Sequence, residues 1–346
     1  MKVVITGASG NIGTALLRVT RDWEVVGVAR RPPDVTGEPY AGVRWVTADV
    51  GTDAHALRRA FEGADAVVNL AWAIDPNTDE PPMDRTNASG SGNVLDAVVA
   101  AGVPHVVCGS SIAAYGPADR WRRVAEDWPC TGIADSAYSA GKAALEKRLD
   151  EFEHAHPDVL VTRFRPCAVG QGDAATQLTS RLLSPLLPTP LLARRWLPVP
   201  LWRDLRLQLV HADDVARAIR LMLERRAGGA FNLAAEPVLP AQTLAEAFGG
   251  VHLPVPLPVL SAPAWAAWRL GLQPLHPAWL RLADEVPLVE TTRARVELGW
   301  QPRRGAVEVL HELADAMRAD HHAPAPPLHP RRRLRLGRPT HQSQHA

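Results

Sequence analysis

Through the first 165 residues, short apolar runs rich in valine alternate with stretches whose apolar positions recur at helical spacing. The runs are VVIT (3–6), EVVGVA (24–29), VRWVTA (43–48), DAVVNLA (65–71), HVVCGSS (105–111) and VLVTRFR (159–165). Near-continuous apolar strands separated by helices predict a parallel sheet covered on both faces. That is an α/β, doubly wound fold, whose ligands sit at the carboxyl ends of the strands. After residue 166 the rhythm breaks in LLSPLLPTPLLARRWLPVPLW, which has leucine and proline but no clear period. LQLVHADDVARAIRLML and GAFNLA then resume it, and both are placed back against the sheet. The expected organisation is therefore a core of residues 1–165 completed by 207–235, with 166–206 and 236–319 as a smaller C-terminal substrate lobe. Within that lobe TTRARVELG reads as a helix starting at Thr291 or Thr292 and stopping at Gly299. No internal repeat is visible.

One helical stretch, AYSAGKAALEK, raises a chemical question. Tyr138, Lys142, Leu145, Leu149 and Phe152 fall at steps of four, three, four and three, so they share one face. The Leu and Phe should turn that face inward and carry the phenol and ammonium with it. Buried lysines are rare without a partner. The spacing alone leaves two readings open, a functional pair or two polar groups snorkelling to solvent.

Composition narrows the class. Hydrophobic residues at 46% and charged residues at 22% suit an ordinary globular protein. The net charge of +1 conceals an asymmetry: from residue 321 onward there are five arginines and no acid, leaving 33 basic against 37 acidic side chains before it. A mildly acidic body argues against nucleic-acid binding. Residues 320–346 lack a core pattern and are expected to form a disordered basic tail. Cys108, Cys130 and Cys167 have no Cys-x-x-Cys spacing, so neither a disulfide framework nor a metal site is expected. The opening MKVVITGAS is too short an apolar run for a signal peptide, and GGVHLPVPLPVLSAPAWAAW (249–268) carries four prolines that exclude a membrane helix. The expectation is a cytoplasmic protein without membrane contact, with the proline-rich segment forming a strand or loop before a short helix.

VVITGASGNIG is the strongest local signal. A strand ends at Thr6, Gly7, Gly10 and Gly13 follow three apart, and a helix begins near Asn11. Glycines there allow a tight turn and a close backbone approach to a pyrophosphate, which the free N–H groups of the helix start then hold. A dinucleotide cofactor is implied.

Taken together, TGASGNIG (6–13), ADV (48–50), NASGSGNVLDA (87–97), GSSIAAYG (109–116) and YSAGK (138–142) resemble the extended short-chain dehydrogenase/reductase superfamily, the NAD(P)-dependent epimerase/dehydratase group. RFRPCAVG, LVHADDVARAI and TTRARVELGW agree with it, so the likeness covers residues 1 to 319 and implies a Rossmann core. The resemblance implies Tyr138 as general acid/base, Lys142 as the group that binds the nicotinamide ribose and lowers the tyrosine pKa, and Ser111 as hydrogen-bond donor to the reacting oxygen. A free phenol titrates near 10, about three units too high for a base at neutral pH, so a nearby cation suits the task. By the same likeness Gly7, Gly10, Asn11, Ile12 and Gly13 hold the pyrophosphate. Asp49 and Val50 lie along the adenine, Leu70 and Ala71 line the cofactor, Asn87 braces the site, and Ser110 is a backbone or cofactor contact.

Two departures bear on the substrate. The Asp-Glu pair that serves dehydration in sugar-nucleotide dehydratases is replaced by Ile112 and Ala113, which argues against that reaction. The arginine that grips a diphosphate in the nucleotide-sugar epimerases is replaced by Leu207, with Arg206 one place off and on the opposite strand face. Arg194, Arg195 or Arg203 could substitute. The expected activity is hydride transfer between nicotinamide and a carbinol or ketone carbon, with a sugar nucleotide as leading substrate class. An epimerase would return the hydride to the opposite face, whereas a reductase would exchange cofactor at each turnover. The alternatives are an NADPH-dependent reductase of a hydrophobic carbonyl, suited by Trp196, Trp202, Trp265, Trp268 and Trp279, and a non-catalytic protein that senses cofactor. VVGVARRPP lacks an acid at the end of its strand and has Arg30 and Arg31 instead, so NADP is favoured over NAD, with Asp34 as the NAD alternative. A homodimer would be ordinary for the group.

Overall fold

A computed structural model describes residues 1–74, 83–177, 197–270, 272, 276–319, 321 and 325–328. Its centre is a seven-stranded sheet built from β1 (Lys2–Thr6), β2 (Glu24–Ala29), β3 (Arg44–Thr47), β4 (Ala66–Asn69), β5 (His105–Gly109), β7 (Leu160–Pro166) and β11 (Gly229–Leu233). The order is β11-β7-β5-β4-β1-β2-β3 and every pairing is parallel. Because β1 is flanked by β2 on one side and β4 on the other, the chain reverses direction across the sheet there. The crevice at that point is where doubly wound folds take their ligands. Valines dominate the central strands because both faces are covered: Val3, Val4, Val67, Val68, Val106 and Val107 are sealed from solvent. Helices α1 (Asn11–Val19), α2 (Ala54–Phe61), α3 (Gly90–Ala100), α4 (Ala137–Ala155) and α5 (Ala212–Arg225) supply the covering layers. The apolar core is accordingly divided between the two faces, with Leu16, Phe164 and Ile219 in one cluster and Phe61, Leu95 and Leu149 in the other.

The strand LQLVH departs from its expected place. GAFNL joins the main sheet as its edge strand β11, but β10 (Arg206–His211) pairs with β8 (Ala168–Gly170) and β12 (Ala235–Pro240) in a separate three-stranded sheet. Its side-chain alternation gives the reason. Arg206 and Gln208 share one face and both are buried, with Gln208 exchanging hydrogen bonds with the Val289 backbone and Arg206 donating to the Asp284 and Val286 carbonyls. A face that needs polar partners fits a small sheet beside a loop better than a central layer of valine.

The lobe contains β9 (Leu197–Leu201) paired with β13 (Gly250–Pro254), then α6 (Ala241–Ala247), α7 (Leu257–Arg269) and α8 (Ala278–Glu285). A two-residue pairing of β6 (Arg123–Val124) with β14 (Leu288–Val289) ties the lobe back to the core. The proline-rich segment is thus a strand followed by a 13-residue helix that contains Pro263. Thr291 precedes α9 (Thr292–Leu298), and Gly299 ends it in the left-handed region at φ 59°. Helix α10 (Ala306–Arg318) closes the lobe.

A disordered tail from residue 320 is not what the described part of that segment shows. Ala325 and Leu328 are fully buried, the Thr176 hydroxyl donates to the His321 carbonyl at 3.0 Å, and Gln177 donates to the Pro327 carbonyl at 2.8 Å. Two apolar side chains and two backbone carbonyls are enough to seat a segment that has no periodic pattern. Residues 329–346, with all five arginines, lie outside the described residues, as do Arg194, Arg195 and Trp196. Among the described residues no helix is long and apolar enough to cross a membrane.

Candidate active site

The glycine loop sits at the carboxyl end of β1. Gly7 has φ +71°, and a Cβ there would meet the backbone of Leu70 and Ala71 at 2.9 Å. At Gly13 a Cβ would meet the carbonyl oxygens of Ala8 and Gly7 at 2.5 Å. Both positions therefore demand glycine, the first for conformation and the second for close packing of helix on turn. Helix α1 begins after Gly10 without a side-chain cap and without an acid in its first turn, which leaves its N–H groups and positive dipole end for an anion. Ile12 packs partly buried against the core. The Asn11 side chain is already engaged, donating to Val169 O at 3.1 Å and accepting from Gln171 at 2.7 Å. These residues fit a dinucleotide pyrophosphate through backbone groups.

Ser111 follows β5 and caps a short 3₁₀ turn (Ile112–Ala114), its hydroxyl accepting from Ala113 N at 3.1 Å. It lies near enough to the Tyr138 phenol to favour the ionised form. Tyr138 opens α4, where Ser136 caps the helix start, and Lys142 lies one turn on. The inward face is as the spacing predicts: Lys142 is 3% exposed, with Leu145, Leu149 and Phe152 buried beyond it. The ammonium donates to Gly109 O at 2.8 Å and stands 3.5 Å from the centroid of the Trp72 ring. Burial drives its pKa down to about 7, while Glu146 and Cys108 pull it up. The Tyr138 phenol is shifted up by burial, opposed by the nearby Ser111 hydroxyl. The ammonium faces Gly109 and Trp72, and the desolvation of the phenol is the largest influence on the Tyr138 pKa.

The remaining expected residues gather around the same crevice. Leu70 and Ala71 leave β4 with their amides on the Thr6 backbone and side chain. Asn87, on a π-helical turn (Arg85–Ser89), holds Ala73 by both backbone groups, at 2.7 and 2.9 Å. Val50 is buried against α3, and Asp49 accepts from Gly51 N and lies 3.2 Å from Arg85 and 3.9 Å from Arg30. Arg30 and Arg31 are exposed at the end of β2. Asp34 commits its Oδ1 to the Thr36 amide and hydroxyl, closing its own turn. Ser110 is buried, and its hydroxyl has no hydrogen-bond partner among the described residues.

A cavity of about 390 Å³ opens beside Tyr138, walled by Trp72, Ile74, Met83, Leu145, His276 and Trp279. Trp279 stacks on the Tyr138 ring, with centroids 5.2 Å apart. Of the other tryptophans, Trp202 is buried and donates to Asp284, Trp268 packs edge-on to His276, and Trp265 is half exposed. Arg206 is occupied by backbone carbonyls, and Arg203 is exposed. Ile112 and Ala113, in the place of the dehydratase acids, are buried and apolar. Sequence reasoning missed three features: Trp72 over Lys142, Arg85 against Asp49, and the buried Glu146. Only Glu146 had a signal, since it lies four residues beyond Lys142.

Residues 3–234 match the model of the NAD dependent epimerase/dehydratase family. The chain belongs to that family. Among curated relatives it is 28% identical over 323 residues to an uncharacterised protein of Mycobacterium tuberculosis, covering 92% of this chain but 30% of that protein. The chain thus spans less than a third of that relative's length. It is 29% identical over 176 residues to the NAD-dependent glucose-6-phosphate dehydrogenase of Haloferax volcanii, covering 47% of this chain and 66% of that one. Among solved structures it is similar to MoeE5 in complex with UDP-glucuronic acid and NAD, at 26% identity and a TM-score of 0.67 over 92% of this chain and 100% of MoeE5. The fold is also that of the Thermus thermophilus UDP-glucose 4-epimerase in complex with NAD, with a TM-score of 0.66 at 22% identity over 92% of this chain and 99% of that one.

Proposed function

We propose that this protein oxidises or reduces a secondary carbinol or ketone carbon, with Ser111, Tyr138 and Lys142 managing the proton. The observation that carries the reading is the buried Lys142 ammonium one helical turn beyond Tyr138, on the same inward face of α4. When bound, nicotinamide accepts or supplies the hydride. Tyr138, with its pKa raised, is protonated at neutral pH and can donate to a developing alkoxide. In the oxidative direction it must first release that proton, which the nearby Ser111 hydroxyl favours. Ser111 then orients the substrate oxygen, and the aromatic walls exclude water.

A sugar nucleotide is the leading substrate class, supported by the family and by the UDP-sugars held by MoeE5. A hydrophobic carbonyl is the second reading, favoured by the Trp72 and Trp279 walls and by an Arg206 already committed to Asp284 and Val286. For the cofactor, we read NADP in preference to NAD. The support is the exposed Arg30 and Arg31 just past β2, whose carboxyl end, Val28 and Ala29, carries no acid, with Asp34 closed on its own turn. The solved relatives named above hold NAD, so this preference rests on the chain's own arginines.

Calorimetric titration should show tighter binding of NADP(H) than NAD(H), with Arg30→Ala weakening NADP(H) more. Equal or stronger binding of NAD(H) by the parent overturns the preference. Cofactor-loaded protein is then mixed with a panel of UDP-sugars and apolar ketones or alcohols, following nicotinamide absorbance and, by NMR, sugar epimers. Turnover of a UDP-sugar supports the first reading and turnover of apolar carbonyls alone the second. No hydride transfer or epimerisation with any member would count against both.

A further inference from the structure

We propose that Glu146 is a positioning residue, one that keeps the Lys142 side chain a charged ammonium inside the fold. Tyr138, Lys142 and Glu146 stand at successive fourth positions of α4, so all three project from one face. Lys142 is 3% exposed and Glu146 2% exposed. Besides the helix that carries it, the ammonium's partners among the described residues are a neutral carbonyl, Gly109 O, and the face of Trp72. Neither contact brings a full negative charge to offset the loss of water.

Glu146, one turn further along the same buried face and outside ion-pair contact, is the carboxylate that favours the charged lysine, and it is itself held as an anion. Arg165 of β7 grips it through two parallel bonds, Nε to Oε1 at 2.8 Å and Nη2 to Oε2 at 2.9 Å, and Arg163 adds a third at 3.3 Å. Those guanidiniums keep the carboxyl below its ordinary range despite its burial. Arg163 in turn pairs with Asp150 and Glu153, and Arg165 donates to Tyr115, so the clamp is anchored away from the reacting pair. Among the described residues, the other titratable groups near the ammonium are Cys108 on β5 and Tyr138 on α4. Burial pushes the Cys108 thiol up to about 12, which leaves it neutral, and the phenol is neutral for the same reason. Glu146 is therefore the anion on which the Lys142 charge depends.

The sign follows directly. Lys142 is charged below its midpoint and neutral above it, so removing the anion must lower the midpoint and shorten the working range from its alkaline side. The proposal rests on the reading of Lys142 as a site residue, but its charge can be measured without turnover. The chain has three lysines, Lys2, Lys142 and Lys147, so protein labelled with ¹³C-lysine reports each one by NMR. In Glu146→Gln the Lys142 midpoint should fall by about one pH unit or more relative to the parent, and Lys2 and Lys147 should not move. Glu146→Asp should restore most of it. If Glu146→Gln does not fold because Arg165 is left unpaired, Glu146→Gln with Arg165→Gln removes both charges, and the midpoint should still fall, by less. A lower melting temperature with an unmoved Lys142 midpoint would reduce Glu146 to a packing role and overturn the proposal. If the midpoint falls but the alkaline limb of kcat/KM does not follow it, the role of Lys142 fails while that of Glu146 stands.

Discussion

A phenol already raised by burial is ready to give a proton and reluctant to lose one, which makes Tyr138 the most direct residue to test. Tyr138→Phe keeps the ring that stacks on Trp279 and removes only the hydroxyl near Ser111. Folding and cofactor affinity should therefore be retained while turnover falls by about a hundredfold or more, the usual scale of a lost general acid or base. Steady-state kinetics beside a cofactor titration checks this, and turnover within threefold of the parent would take Tyr138 out of the chemistry. The residue pattern found the tyrosine and lysine but passed over Glu146. A strictly apolar stripe predicts Leu145 next, and only the structure reveals that Arg163 and Arg165 stabilise a buried carboxylate one place later.

Elements were legible where one physical rule decided them. Runs of valine long enough to cross a covered sheet became β1, β2, β4 and β5, and the spacing of Gly7, Gly10 and Gly13 located both the turn and the start of α1. Gly299 ended α9 because the left-handed cap favours glycine. No such rule places β10, because its local pattern, LQLVH, is compatible with either sheet. What assigns it is the demand of Arg206 and Gln208 for carbonyl and amide partners at Asp284, Val286 and Val289, nearly eighty residues away. The site divides in the same manner. Its strand-end and helix-face members follow from periodicity, whereas Trp72 over Lys142 and Trp279 over Tyr138 are long-range encounters that no local spacing announces.

At the scale of the whole molecule, the first part of the tail is a component of the body. Leu328 is fully buried, as is Ala325, and Thr176 and Gln177 reach the carbonyls of His321 and Pro327. Burying a leucine is worth about 1.5–3 kcal/mol, and truncating one in a closed core costs about 2–5 kcal/mol once the cavity is included. In a chain of 346 residues each kcal/mol moves the melting temperature by roughly 2 °C or less. Deleting residues 321–346 should therefore lower the melting temperature by several degrees, and Leu328→Ala should reproduce much of that loss. The seat of the segment involves residues 173–177 and α10, while Ser111, Tyr138 and Lys142 are held by β5 and α4. The cofactor affinity of Leu328→Ala should accordingly stay within about twofold of the parent at 25 °C, where the protein remains folded. Thermal melts of the parent, the deletion and Leu328→Ala decide the matter, and a deletion that melts within one degree of the parent would show that these contacts add no stability.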